Sequence, residues 1–514
     1  MRITLFDYAY ENFAIQYLAA ELMHHGYSVE IHFDSSMSRD WLSEDLFCSR
    51  FLSISPEGVA REILRTDPQV VGFSLKTIDM PDLKQIIRAV KRQRPDTTVI
   101  VGGPHCMVAF ESIVRDPDID FVFKGDADIS LPDLIGRLEN HPVTDVRALS
   151  EDAMPGVSSV WNGRVIDRGW GPLMSDLDSV PFPAKEPYYR ANPSLKTVYT
   201  CIASRGCVWN CTYCNSATLK RLYRDCGQAY YRARSVDNVI DELKEAKTKY
   251  APKYVVFLDN LFALREGWVK KFSEMYPREV GLPFFCETNP NVHSTRTIDS
   301  LAQAGCYIVQ FGFQSANEDV RKNLLRRPET NAKIMSLVRR ARERGMFVCV
   351  DHIANLPGET REHLDEAVAF YRDLRPHWVN LGFLQYYPGA EIVEMALSRQ
   401  VLTTTDLPKI MGGTAQSSFR LLSKSGLDAE YRMLPVRFFL AFKIPKWLGI
   451  HLDRFIIGST VIRRIISRFA SLFIYTTRIM FAFLDRRDFL VRHHLLRNAY
   501  VVKTMLLKRI RDNG

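Results

Sequence analysis

Residues 204–216 read SRGCVWNCTYCNS, and they place Cys207, Cys211 and Cys214 at the spacing CxxxCxxC, directly after an apolar strand pattern over Thr197–Cys201. Three thiolates on one short loop suit a four-iron cube, because soft sulfur ligands favour iron–sulfur centres and each thiolate can take its own iron. The fourth iron then stays open. A structural zinc site asks for a fourth Cys or His in register, which Cys201 or Cys226 would have to supply, and plain buried thiols are a third reading. Ten cysteines in 514 residues are too few for a disulfide scaffold, so the group reads as a metal or catalytic site.

Working outward from this loop, strand and helix patterns alternate from Thr197 to about Leu397. Strands are expected near Val198, Val255, Phe284, Ile308, Phe347 and Val379, with helices such as Val236–Tyr250 and Ala332–Arg344 between them. Six βα units predict a TIM-type barrel, partial or complete, with catalytic groups at the carboxyl ends of its strands. Upstream, Ile3–Phe6, Val29–Phe33, Val70–Ser74, Val99–Val101 and Phe121–Phe123 read as strands, with helices over Phe13–His25, Met80–Gln93 and Leu131–Leu138. That alternation predicts a Rossmann-like α/β domain whose ligand sits at the carboxyl ends of the strands. The expected division is an α/β domain over 1–145, a proline-rich connector over 146–195, the barrel over 196–400 and a helical basic region over 401–514.

Charge is distributed unevenly. Residues 431–514 hold 17 Lys/Arg against 4 Asp/Glu, a balance of +13 within a chain total of +9. The first 430 residues are therefore slightly acidic, and nucleic acid is not expected as a partner, since phosphate binding needs a concentrated cationic face. In the tail, apolar and cationic residues interleave. Its longest apolar stretch, Phe469–Leu484, is interrupted by Arg478 and is too short to span a bilayer. Basic amphipathic helices with Trp447 can lie on an anionic membrane surface or pack over the barrel, and both readings stay open. The first residues, MRITLFDYAY, lack the features of a secretory signal, so a cytoplasmic location is expected, or one peripheral to the inner membrane face.

The cysteine loop, with Tyr213 just before the last cysteine, resembles the signature of the radical S-adenosylmethionine superfamily. The segments VVFLDN, FCETNPNV, FGFQSANEDV, HIANLPGET and YYPGAE fall at successive predicted strand ends, as that family's cofactor-contacting segments do. The resemblance implies a [4Fe-4S] cluster on Cys207, Cys211 and Cys214, with S-adenosylmethionine contacted by Tyr213, Asp259, Glu287, Gln314 and Ser315. Many relatives carry Glu-Ser where this chain has Gln314-Ser315; the amide keeps an acceptor oxygen and loses the charge.

In the first domain, GFSLKT and VGGPH each leave a strand with small residues, which lets a bulky planar cofactor approach the backbone closely. Their arrangement, with DFVFKGDADISLPDLI beyond, resembles cobalamin-binding domains. It implies cobalamin contacts at Ser74, Thr77, Gly102, Gly103 and His105. The loop Asp7–Phe13 has no histidine, so cobalamin is expected to bind without a protein histidine on cobalt.

The combination resembles cobalamin-dependent radical S-adenosylmethionine enzymes. It implies methyl transfer to an unactivated carbon, or to phosphorus, of a small-molecule or lipid-like substrate, with an electron donor such as flavodoxin or ferredoxin. The rival reaction is a radical cyclisation or rearrangement that uses cobalamin without methyl transfer. The rival class is a non-enzymatic metal-binding or membrane-adaptor protein.

Overall fold

A computed structural model describes residues 1–34, 55–150, 153–414, 427–463 and 487–512, together with 465–466, 476–477, 479–480 and 485. Strands β1 (Arg2–Tyr8), β2 (Ser28–Asp34), β3 (Val70–Ser74), β4 (Thr98–Gly102) and β5 (Phe121–Phe123) are parallel in the order β2-β1-β3-β4-β5. β1, β3 and β4 are buried along nearly their whole length, because helices cover both faces. The order reverses between β1 and β3, and that is where a crevice opens in such sheets.

The expected connector is not patternless. Residues 146–195 contain β6 (Val157–Trp161) and β7 (Arg164–Ile166), a hairpin that adds two antiparallel strands to the first sheet through Val122↔Ser158 and Phe123↔Val157. The first sheet therefore runs past residue 145. Asn162 and Gly163 both have positive φ at the hairpin's two-residue turn, the conformation that Asn-Gly favours because it matches the strand twist.

Strands β8 (Val198–Cys201), β11 (Tyr254–Phe257), β12 (Phe284–Thr288), β13 (Cys306–Gln314), β14 (Phe347–Ala354) and β15 (Trp378–Phe383) form a second sheet, all parallel and in chain order. A short hairpin, β9 (Ser204–Arg205) with β10 (Arg232–Ala233), brackets the cysteine loop. β8 and β15 are the two edges, so the barrel is partial. Its helices start at side-chain caps, as at Ser294 and Thr360, where reciprocal capping boxes satisfy the first free N–H groups. One hydrophobic core runs through both sheets, from Ile3 and Leu5 to Val198 and Val255.

The basic tail divides. Helix Asp428–Lys443 is buried on all sides from Val436 to Phe442. Phe438 meets the His352 and Tyr371 rings at 5.0 and 4.8 Å, and Arg437 bonds Asp365 at 2.7 Å and Asp453 at 2.9 Å. Among the described residues no helix is long and apolar enough to cross a membrane, and most of Phe469–Leu484 lies outside the described residues. Phe438→Ala should cost about 3–5 kcal/mol, the usual range for emptying a buried aromatic site. The check is the thermal unfolding midpoint of the full chain; an unchanged midpoint would mean that this helix only rests on the barrel.

Candidate active site

The cysteine loop is held at four points. Gly206 has φ +84, and a Cβ there would stand 2.2 Å from the Tyr230 carbonyl oxygen, so the turn into Cys207 admits only glycine. Thr212 donates through Oγ1 to the Leu324 carbonyl at 2.6 Å, and its own carbonyl accepts from Ile392 N at 3.0 Å. Helix Asn215–Asp225 starts directly at Cys214. On the strand side, Asp259 accepts from Ala203 N at 3.0 Å and from Ser204 Oγ at 2.5 Å.

Cys211 is buried, and Cys207 and Cys214 are half-buried. Burial pushes the Cys207 thiol up and the Cys214 thiol up to about 11, the charge of Cys211 adding to both. Metal binding must therefore displace protons, as it does for thiolate ligands generally. Among the described residues no three His, Cys, Asp or Glu side chains gather tightly enough for one metal ion. A multi-iron cluster does not ask for that, because each sulfur takes a separate iron. Trp209 Nε1 and Asn215 Oδ1, both on this loop, are buried without a partner. The donor set and these open polar atoms fit a cluster with a polar ligand beside it.

The residues expected to contact S-adenosylmethionine do not share one environment. Tyr213 receives a hydrogen bond from Arg327 Nη1 at 3.4 Å. Asp259 is 2% exposed, and both its oxygens are taken by the chain, so it supports the loop's entry strand instead of standing open. Burial pushes it up to about 6. Gln314 ends β13 at φ +73 beside a register shift, a backbone conformation that costs a non-glycine residue. Ser315 follows it and is buried, its carbonyl accepting from Arg321 Nη1 at 2.5 Å.

Glu287 belongs to a polar layer that the sequence reading missed. Gln310 Nε2 lies 3.0 Å from Glu287 Oε1 and 3.2 Å from Asp351 Oδ2. Asn380 Nδ2 lies 3.0 Å from Gln310 Oε1 and 3.1 Å from Asp351 Oδ1. Burial, reinforced by the charge of Asp351, pushes Glu287 up to about 8, and burial pushes Asp351 up to about 6. The signal was present in the sequence as a polar residue interrupting the apolar run of each of four successive strands.

In the first domain, Ser74, Gly102 and Gly103 line a cavity of about 290 Å³ together with Met107. Its far wall is Arg205, Gly206, Tyr223 and Tyr230, on and beside the cysteine loop. Gly103 has φ +98, and a Cβ there would come within 2.8 Å of the Leu75 carbonyl oxygen. Thr77 and His105, expected at the same site, do not line it. They are buried and bonded to each other, Thr77 Oγ1 to His105 Nδ1, at 3.1 Å. Burial lowers His105 to about 4, so it is neutral at pH 7. In the loop Asp7–Phe13, Asp7 accepts from Tyr188 Oη at 2.7 Å, and burial pushes it up to about 7. The cavity's glycine-bare backbone fits the flat, bulky group that the sequence led us to expect.

An α/β sheet with a glycine-lined cavity, set against a partial barrel with a three-cysteine loop, defines a protein built around two cofactors. Family models match both parts, the B12 binding domain over residues 3–135 and the radical SAM superfamily over residues 201–371. The chain belongs to the radical S-adenosylmethionine enzymes that carry a B12-binding domain, and its cofactors are a [4Fe-4S] cluster, S-adenosylmethionine and cobalamin.

An uncharacterized methyltransferase of Pyrococcus horikoshii is 25% identical over 376 residues, 72% of this chain and 76% of its own. Cytidylyl-2-hydroxyethylphosphonate methyltransferase of Streptomyces wedmorensis is 24% identical over 69% of this chain and 71% of its own. The anaerobic magnesium-protoporphyrin IX monomethyl ester cyclase of Rubrivivax gelatinosus is 21% identical over 74% and 65%. In fold, the chain is similar to the cobalamin-dependent S-adenosylmethionine radical enzyme OxsB, solved with aqua-cobalamin and S-adenosylmethionine, at TM-score 0.63 and 13% identity over 99% of this chain and 80% of that one. It is also similar to the methyltransferase TsrM of Kitasatospora setae at TM-score 0.60 and 18% identity, over 79% and 77%.

A Cβ at Gly102 meets only Phe123 Cβ, at an ordinary 3.5 Å, so Gly102→Leu can fill the cavity without straining the backbone. Purified Gly102→Leu should lose most of its cobalamin and keep its iron, whereas Cys214→Ala should lose iron and keep cobalamin. Equal cobalamin in Gly102→Leu and wild type would move the cobalamin site elsewhere.

Proposed function

We propose that the enzyme transfers a methyl group to an unactivated carbon, or to phosphorus, of a small-molecule or lipid-like substrate. The observation that carries this reading is the shared wall: Arg205 and Gly206 close the glycine-lined cavity and lead directly into Cys207. Methyl transfer needs a radical source and a methyl carrier facing one substrate, and proximity is what joins such steps. When bound, the cluster with S-adenosylmethionine supplies a 5′-deoxyadenosyl radical and cobalamin carries the methyl group.

In this reading Cys207, Cys211 and Cys214 hold the cluster, while Tyr213, Gln314 and Ser315 flank the S-adenosylmethionine. Ser74, Gly102 and Gly103 keep the backbone bare beneath cobalamin. Glu287, Gln310, Asp351 and Asn380 line the barrel between its strands, where the substrate would enter. An electron donor of the flavodoxin or ferredoxin type supplies the two electrons that each turnover requires.

The balance tests the reaction. One substrate hydrogen ends in 5′-deoxyadenosine and one methyl group ends on the product, consuming two S-adenosylmethionine and two electrons. With the true substrate, one 5′-deoxyadenosine and one S-adenosylhomocysteine should appear per product, and deuterium from methyl-labelled S-adenosylmethionine should enter it. Product formed with 5′-deoxyadenosine but without S-adenosylhomocysteine or label would replace this reading with cyclisation or rearrangement, the reaction of the related cyclases.

The lipid-like option rests on helix Lys446–Gly458. Trp447 and Phe455 stand 67% and 63% exposed on it, with Arg454 exposed beside them, while Lys446 is bonded to Asp373 at 2.7 Å. Positions 447, 451, 454, 455 and 458 fall on one helical face, and all five are exposed. An anionic membrane surface would take both the apolar side chains and the charge. The full protein should therefore sediment with phosphatidylglycerol vesicles, less so as salt rises, since the screening length is roughly 10 Å at 0.1 M. Trp447→Ser with Phe455→Ser should abolish binding; unchanged sedimentation would remove the membrane from the reading.

A further inference from the structure

The guanidinium of Arg327 is buried at the inner side of the cysteine loop, and every one of its nitrogens is placed. Nε donates to Glu329 Oε1 at 2.6 Å, and Nη2 donates to the Gly312 carbonyl. Nη1 faces Cys211 Sγ at 3.7 Å and Tyr213 Oη at 3.4 Å. Arg327 is 5% exposed and Glu329 2%. A buried cation is tolerated when a buried anion balances it, and Glu329 does so here. Asn291 Nδ2 holds Glu329 in turn through its other oxygen, at 2.6 Å.

The ion pair with Glu329 is satisfied without the sulfur, yet the remaining nitrogen is aimed at it. A neutral thiol is a poor acceptor, whereas an anionic sulfur takes a charge-assisted hydrogen bond. The arrangement therefore suits Cys211 as a thiolate ligand. Hydrogen bonds to ligand sulfurs and nearby net charge are the main means by which a protein sets the potential of an iron–sulfur cluster, because they stabilise the more negative, reduced state.

We propose that Arg327 is a positioning residue for the cluster, which donates a hydrogen bond to the Cys211 sulfur and raises the cluster's midpoint potential, with Glu329 as the counter-charge that moderates the effect. The proposal rests on the reading that the three cysteines hold the cluster. The two can fail separately: if the cysteines are not ligands, Cys211→Ala will keep its iron, whatever Arg327 does.

The test uses full-length protein with its cluster intact, and reads iron per chain together with the midpoint potential from the electron paramagnetic resonance signal of the reduced cluster. Arg327→Met should retain iron and shift the potential to more negative values, with Arg327→Lys falling between it and wild type because the charge remains and the planar fork is lost. Glu329→Gln, which keeps one acceptor oxygen for Arg327, turns an N–H toward Asn291 whose own amide can flip to accept it, and removes the counter-charge, should shift the potential the opposite way. A purely structural disturbance would not move the two variants in opposite directions. Potentials equal to wild type, or shifts of the same sign in Arg327→Met and Glu329→Gln, would overturn the proposal. If Arg327→Met does not hold iron, the sign of the Glu329→Gln and Arg327→Lys shifts decides it.

Discussion

The contact on which both halves of the site depend is a cluster of four charges between the first sheet and the barrel. Arg205 grips Asp128 with two nitrogens, at 2.8 and 3.0 Å, and Arg232 reaches Asp126 at 2.7 Å. The two aspartates follow β5 directly, and the two arginines sit on the small hairpin that brackets the cysteine loop. Removing one partner of a buried pair leaves a bare charge and costs about 3–5 kcal/mol at full burial, and somewhat less here because Arg205 keeps some exposure. Bidentate geometry fixes direction as well as distance. The same four side chains thus set where the cavity's far wall lies and where the turn into Cys207 begins. The hydrophobic core shared by both sheets also holds the domains together, but it does not fix their register to one hydrogen-bond length.

Most of the scaffold is legible in the sequence because its strands are buried on both faces, which leaves uninterrupted apolar runs such as Val70–Phe73 and Val99–Val101. The three cysteines are legible because ligand chemistry imposes a spacing. What stays hidden is what depends on neighbours distant in the chain. His105 looks like a cofactor contact when judged by position alone, yet a hydrogen bond to Thr77 turns it beneath the loop. Asp259 looks like an exposed strand end until the backbone of Ala203 and the Ser204 hydroxyl claim both its oxygens. The hairpin over 157–166 is a different kind of miss, since its Asn162-Gly163 turn is a local signal that proline density overshadowed.

The Glu287, Gln310, Asp351 and Asn380 layer fixes the shape and charge of the barrel's interior. Both amide groups give their two N–H donors to neighbouring oxygens. A network satisfied in this way holds its shape without water. Burial raises Glu287 to about 8 and Asp351 to about 6, so at pH 7 the pair carries less than its full negative charge. That response is expected where two adjacent carboxylates turn into a barrel's interior and resist joint ionisation.

The basic tail carries two kinds of arginine with different physical fates. Arg437 is buried between Asp365 and Asp453, so its charge is neutralised and serves to fasten helix Asp428–Lys443 to the barrel. Around Trp447 and Phe455 the charges stand outward: Lys446 is bonded to Asp373 at 2.7 Å, Arg454 is exposed, and Trp447 is 67% open. Fold stability alone would favour the aromatics turned inward. The helix Lys446–Gly458 thus has a buried face, with Gly449, Asp453 and Ile456 turned toward its neighbours, and an outer face that combines aromatic and cationic side chains. Such a face has the composition of helices that lie on anionic bilayers, and it is the face that the proposed membrane contact would use.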